Sequence, residues 1–449
     1  MNDSQDKIIR IGSGAGYSGD RIEPAVELAE RGQLHYLAFE CLAERTIALA
    51  QQRRQRDPQA GYDPLLDLRM RACLPPARRN GVRIISNMGA ANPVAAMERT
   101  VAIARELGLQ GLKIAAITGD DVLEQIQRRD FPILETGGRL EDLRPQIISA
   151  NAYLGVTPIV AALAAGADVI LTGRVADPAL FLAPLIHEFG WSPEDYHLLG
   201  KGTVLGHLLE CAGHVSGGYF ADPGVKEVPD LARLGFPIAE VRADGDFILT
   251  KLPGTGGMIT PATCKEQLLY EIHDPTEYLT PDVVADLSGV TFRETGKDRV
   301  EVTGGSGKVR TGLLKVSVGF RDGFIGEGQI SYGGAGAVAR GELALDIVRQ
   351  RLDATGVGAQ ELRFDLMGVN SLYGNTLSVG EPAEVRVRVA GRTENRAEAV
   401  RIGNEVESLY TNGPAGGGGA TKSVGEIIAI NSILIDSSEV DPKVTYKTV

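Results

Sequence analysis

Short apolar runs alternate with amphipathic segments through the first part of the chain. Lys7–Ile11 is an apolar run, followed by a glycine loop and a helical segment at Ile22–Arg31. Leu34–Phe39 reads as a second strand with a helix at Glu40–Arg53, and Val82–Ile85 as a third with a helix at Val94–Leu107 closed by Gly108. Leu112–Ile117 is a fourth strand and Asp168–Leu171 a fifth, with helices at Ile159–Ala165 and Ala179–Phe189. Continuously apolar strands, rather than alternating ones, suit a parallel sheet covered on both faces. The fold class expected for the N-terminal half is therefore α/β, a largely parallel sheet with helices on both faces.

The pattern then changes. Phe247–Lys251, Arg299–Val302, Gly312–Val318, Phe324–Ile330 and Val385–Val389 are β-rich, with helical segments at Thr263–Glu271, Ala337–Leu352 and Ala397–Tyr410. This predicts an α+β second region. Proline, glycine and charge cluster between Gly224 and Gly235, which suggests two domains, 1–224 and 225–449. No internal repeat is visible.

Composition narrows the function. The 46 basic residues stand against 58 acidic ones, a net charge of −12. Nucleic-acid and anionic-membrane binders need the opposite balance, so neither partner is expected. A small-molecule substrate and self-association into a homo-oligomer are expected instead. The N-terminus has no apolar signal core, and the most apolar stretch, Gly155–Ile170, is too short to span a bilayer and is broken by Pro158 and Asp168. The four cysteines, Cys41, Cys73, Cys211 and Cys264, are widely spaced without a CxxC pair, which predicts neither disulfides nor a zinc knuckle. A cytoplasmic protein is the expectation. The 56 glycines of 449 residues fall in short clusters rather than a triplet period, implying many tight turns.

Several of those clusters could carry chemistry. The first contains Gly14-x-Gly16-x-x-Gly19 and Arg21 between a strand and a helix, with Asp20 as apparent helix N-cap, Pro24 in the first turn and Glu40 after the next strand. Backbone N–H groups there could hold an anion, and the spacing admits a nicotinamide dinucleotide. The alternative is a tight turn. Equivalent loops follow the later strands: Asn87 and Asn92 after the third, Asp120 after the fourth, Arg174 and Asp177 after the fifth. In a parallel sheet these loops share one rim, where ligands bind, although capping and turn chemistry accounts for such residues equally well.

The stretch from Gly206 to Tyr219 is the most loaded chemically. His207, Glu210, Cys211 and His214 are spaced i, i+3, i+4 and i+7, one face of a helix, and could transfer protons or contribute to a metal site. Cys211 could alternatively be a nucleophile. His207 or His214 should lie within about 10–12 Å of Asn87, Asn92 or Arg174 if helix and loops build one pocket. Lys251, Gly254, Gly256, Gly257 and Thr260 form a further candidate anion cradle opening a helix, or a loop gripping its own domain. Gly416–Gly419 could be a lid or a connector. No Walker A, GxSxG, HExxH or kinase motif occurs.

IGSGAGYSGDR, SNMGAANP, LTGRVADPALFLAPLIHEFGW, GHLLECAGHVSGGYF, LPGTGGMITPATCKEQLLYEI and TNGPAGGGG together resemble the acyclic terpene utilisation protein A (AtuA-like) family over roughly residues 7–435. The resemblance implies that many members carry a further small C-terminal domain, which this chain is expected to lack. The resemblance implies a place among acyl-CoA carboxylases, hydratases and dehydrogenases that degrade branched or terpenoid acids, and these enzymes are the protein partners to expect. It brings no site residues. The reading is thus an acid–base enzyme of hydratase, lyase or isomerase type acting on an acyl-CoA or small carboxylate. The alternatives are a dinucleotide-dependent oxidoreductase and a non-catalytic partner of a carboxylase or hydratase. The cofactor stays open among a CoA-linked substrate, NAD and a divalent metal.

Overall fold

The structure, a computed structural model, describes residues 7–376 and 380–449. The chain forms two compact units, one running to Gly319 and resumed by Ile430–Val449, the other Phe320–Ala429.

In the first unit, β1 (Ile9–Ala15), α1 (Glu23–Arg31), β2 (Tyr36–Phe39), α2 (Glu44–Arg56), α3 (Leu66–Asn80), β3 (Arg83–Ser86), α4 (Pro93–Glu106) and β4 (Lys113–Thr118) follow in order. Then come α5 (Leu123–Ile126), β5 (Ile147–Ala152), α6 (Thr157–Ala164), β6 (Val169–Thr172), α7 (Ala179–Phe189) and α8 (Tyr196–Glu210). The segment after Gly224 continues the same unit with β7 (Pro237–Val241), β8 (Phe247–Lys251) and α9 (Pro261–Leu269). β9 (Tyr278–Leu279), β10 (Val284–Asp286), β11 (Thr291–Gly296), β12 (Arg299–Thr303) and β13 (Ser306–Lys308) complete this stretch.

β1, β2, β3, β6 and β4 are mutually parallel neighbours in that order. Antiparallel strands extend this block on both sides. β7, β8, β12 and β11 lie beyond β1, and β18 (Lys443–Thr448) lies beyond β4, making a mixed ten-stranded sheet. The parallel block matches the sequence expectation, but strands assigned above to a second α+β region join this sheet. Of these strands β12 alternates between buried and half-buried positions, whereas β7 and β8 are almost continuously buried and β11, at the sheet edge, is mostly exposed.

Side chains of the parallel strands divide between two cores. Tyr36 and Ala38 of β2 pack with α6, α7 and α8, whereas Leu37 and Phe39 pack with α1, α3 and α4. Each fully buried Leu or Phe contributes about 1.5–3 kcal/mol, so a one-residue slip that exchanged the faces is strongly disfavoured. α3 is absent from the sequence reading because Pro75 and Pro76 interrupt it. Both lie inside the helix, and Gly81 closes it in the left-handed conformation.

The two apolar runs at 312–318 and 324–330 form one long strand, β14 (Leu313–Gly333). The second unit builds on its latter part with α10 (Ala337–Ala354), β15 (Ala359–Met367), β16 (Glu384–Thr393), α11 (Arg396–Glu407), α12 (Leu409–Asn412) and β17 (Gly418–Asp436). Ile330, Tyr332, Val385, Val387 and Val389 pack with α10 and α11 on one face of its sheet. The late glycine loop turns into β17 here, with Arg340 donating to the carbonyl of Ala415. Among the described residues no helix is long and apolar enough to cross a membrane.

Candidate active site

Because the five central strands are parallel, the loops at 16–22, 40–43, 87–92, 119–122 and 173–178 leave the same edge of the sheet. Hydrogen bonds join them sideways. Glu40 N–H donates to the Ala15 carbonyl (3.2 Å), Cys41 N–H to Asn87 Oδ1 (2.7 Å), and Arg174 N–H to Asp120 Oδ2 (2.9 Å). α8 reaches this rim as well. A Cβ on Gly16 would stand 2.5 Å from the Cys211 carbonyl carbon, and one on Gly206 2.6 Å from Pro178 Cα, so only glycine lets the helix end approach both loops.

The expected helical face is only partly formed. α8 ends at Glu210, Cys211 caps it, and Ala212–His214 is a 3-10 turn. Ala212 and Tyr219 both adopt positive φ, +41° and +63°, a conformation uncommon for residues with a Cβ. The glycine-rich sequence here breaks the helical period, which separates His214 from His207.

The two histidines consequently differ. His207 is buried. Its Nε2 donates to the Leu268 carbonyl (3.1 Å) and its Nδ1 lies 2.8 Å from Glu210 Oε1. Burial alone would lower the imidazole's pKa, but the carboxylate beside it outweighs this and raises it. Burial likewise raises Glu210 against the pull of His207, so the pair keeps a proton. Glu210 Oε2 is buried without a hydrogen-bond partner.

His214 instead lines a cleft of about 530 Å³ with Gly16, Tyr17, Asp20, Arg21, Cys211, Gly213, Gly218, Tyr219, Leu231, Leu234, Phe236 and Tyr270. Its ring stacks on Tyr219 (centroids 5.5 Å apart, 13° between planes) and meets Tyr270 edge-on at 5.2 Å. Gln267 sets its tautomer. The Gln267 amide donates to the His207 carbonyl (2.9 Å), so its Oε1, 3.2 Å from His214 Nδ1, must accept. Nδ1 therefore carries the proton in the neutral ring and Nε2 the lone pair. Sequence reading missed Gln267, a buried amide inside the LPGTGGMITPATCKEQLLYEI stretch that carried the family resemblance but no assigned chemistry.

Cys211 lines the cleft beside Glu210. Burial and the charges of Glu210, Glu40 and Glu271 raise its thiol well above the usual range, the reverse of an activated nucleophile.

The glycine loop does not present a dinucleotide site. Gly14 lies within β1, where a Cβ would collide with the Phe39 ring, and α1 starts only at Glu23. Asp20 is not the helix N-cap. Its Oδ2 accepts from Gly16 N–H (2.9 Å) and its Oδ1 from Arg21 N–H (2.8 Å), so a carboxylate already occupies the place of a phosphate. Gly19 packs against the Tyr17 ring. Arg21 donates to the carbonyls of Leu231 (3.0 Å) and Ala232 (3.2 Å). Glu40 is buried, accepting from Leu42 N–H and Asn87 Nδ2, both 2.8 Å from Oε1.

Other expected ligand residues hold the rim together. Asn92 caps α4 and donates to the carbonyls of Pro58 and Ala60. Arg174 lies 4.3 Å above the Tyr153 ring, pairs with Asp177 and donates to the carbonyls of Leu42 and Val175. Asn92 and Asp120 line a second cleft of about 510 Å³ with Arg54 and Asp121. Lys251 donates to the Thr255 carbonyl (2.9 Å) and lies 3.6 Å from Asp298. Gly256 and Gly257 direct their N–H groups to the carbonyls of Arg233 and Pro229, Gly254 takes a left-handed turn, and Thr260 caps α9. That loop grips its own unit. Among the described residues, no group of three His, Cys, Asp or Glu is placed to hold a metal ion.

A family model for the acyclic terpene utilisation family protein AtuA matches residues 9–446. The chain belongs to this family. The match runs through both units and through every loop of the rim. No curated protein and no solved structure matches the chain.

Proposed function

We propose that this AtuA-family chain is a catabolic enzyme that acts on an acyl-CoA or small carboxylate in the breakdown of branched or terpenoid acids. The chemistry is acid–base, of hydratase, lyase or isomerase type, in the cleft at the end of β1. The observation that carries the reading is the tautomer of His214. With its Nδ1–H directed to Gln267 Oε1, the ring in its neutral form presents the Nε2 lone pair for taking a proton. Tyr17, Tyr219, Leu231, Leu234 and Phe236 offer apolar surface to a branched acyl chain. His207 and Glu210 hold Gln267 and the helix end behind the cleft.

Turnover on a panel of branched CoA thioesters and the free acids tests this. His214→Gln should lower kcat by about 100-fold, as expected for loss of a general base. Lys265→Ala, on the exposed side of α9, should change nothing. Equal activity of the His214 variant and wild type on every substrate would contradict the assignment.

A further inference from the structure

The second cleft takes no part in that reading. It lies in the first unit between the loop after β3 and the loop after β4, and Ala91, Pro93, Val94 and Leu123 give it an apolar wall. β6 sits between those two strands. β3 continues into α4, which packs in one core with α1 and α3, whereas β6 continues into α7, which packs in the other core with α6 and α8. Neighbouring connections that leave to opposite faces open the crevice in which parallel sheets bind ligands.

Asp120 is the buried charge of this cleft, only 4% exposed. Its Oδ2 accepts from Asn151 Nδ2 (2.8 Å) and from the Arg174 N–H (2.9 Å), while Oδ1 has no hydrogen-bond partner among the described residues. Gly173 makes the room, since a Cβ there would collide with Oδ1. Arg54, the cation of the cleft, is already taken: it donates to the Ala91 carbonyl (2.8 Å) and lies 3.7 Å from Asp121. That leaves Asp120 and Glu124 without a basic side chain among the described lining residues. Burial raises the Asp120 carboxyl to about 6, and Asp121 adds to this against the bonds from Arg174 and Asn151. A buried carboxylate oxygen without a donor is costly, and an ammonium supplied by a ligand removes that cost. A metal ion fits less well, because no three His, Cys, Asp or Glu among the described residues are placed to hold one.

We propose that this cleft is a binding site for a small primary amine, its ammonium on Asp120 Oδ1 and its apolar body along Ala91, Pro93, Val94 and Leu123. It shares no lining residue with the cleft of His214 and does not depend on the acid–base reading.

Pentylamine, pentan-1-ol and pentanoate share a chain and differ in the head group. Ligand-observed NMR titrations of the whole protein should show pentylamine binding about 10-fold or more tighter than pentanol, with pentanoate the weakest. Asp120→Asn keeps an oxygen for Asn151 and Arg174 but removes the charge, and should bring pentylamine to the level of pentanol. Val94→Trp, at the exposed start of α4, fills the cleft with Asp120 intact. It should weaken pentylamine by about 10-fold, a second reading should Asp120→Asn not fold. The titrations need no turnover, so failure of the acid–base reading leaves them untouched. Equal affinity for amine and alcohol in wild type, unchanged amine binding in either variant, or displacement of pentylamine by Mg²⁺ would overturn the site.

Discussion

Arg69 is fully buried in α3 and holds the floor of the cleft loop. Its guanidinium donates to the carbonyls of Ser18 (2.8 Å), Asp20 (3.2 Å) and Tyr17 (3.4 Å) and lies 3.3 Å from Asp63 Oδ1. Asp63 in turn accepts from Ser18 Oγ (2.6 Å). Arg69→Met keeps most of the apolar stem but removes the cation. It would leave Asp63, only 3% exposed, as a buried carboxylate without its counter-ion. Breaking one partner of a buried pair costs about 3–5 kcal/mol. The three carbonyls add little beyond this, because a loosened loop lets water reach them. Adding Asp63→Asn removes the uncompensated charge and should restore more than half of the loss. Urea denaturation followed by Trp191, the sole tryptophan and a buried residue of the first unit, reads the effect on the right body. With a slope of about 3 kcal/mol/M, Arg69→Met should lower the midpoint by about 1–1.7 M. A loss below about 1 kcal/mol, or a double variant no more stable than the single one, would refute the clamp.

Three further outcomes follow from the same geometry. Gly16→Val places side-chain atoms against the Cys211 backbone and should destabilise the first unit by about 2–3 kcal/mol by overpacking, measured by the same denaturation. Cys211 should react with a thiol reagent at pH 8 far more slowly in the folded protein than in urea, since burial and its acidic neighbours keep the thiol protonated. Burial raises Asp120 and Asp282 to about 6. A raised carboxyl leaves more protons on the folded state, so its stability is complete below the unfolded pKa near 4 and declines as pH rises towards and past 6. Asp282→Asn, which still accepts from Val156 N–H, should therefore be more stable than wild type at pH 8 by about 2–3 kcal/mol and equal to it at pH 4, by thermal melts across pH.

The parallel core was legible because its strands are apolar on both faces, and β6 and α7 fall within a residue of the segments read from the sequence. α3 was hidden by Pro75 and Pro76, and the antiparallel strands β7, β8, β11 and β12 could not be placed beside β1 because pairing partners distant in sequence leave no local signal. The shared rim of the glycine loops was also readable, since parallel strands fix it. What sequence could not give is the division of labour on that rim. Asn92, Arg174 and Lys251 have the chemistry of ligand contacts but are used to hold the structure, a distinction made only by the carbonyls and carboxylates that fold against them. Likewise the equal spacing of His207 and His214 concealed that the left-handed turn at Ala212 buries one and leaves the other beside a cleft. Gln267, which links the two, comes from a helix some fifty residues later.

The central claim, that His214 exchanges protons with an acyl substrate, is tested most directly by incubating the protein with branched CoA thioesters in D₂O. Mass spectrometry then counts deuterium on the recovered acyl chains. Wild type should incorporate solvent deuterium, Gln267→Leu should do so more slowly because the tautomer is no longer fixed, and His214→Gln should be slower by about 100-fold. No incorporation with any thioester, or equal incorporation by wild type and His214→Gln, would contradict it.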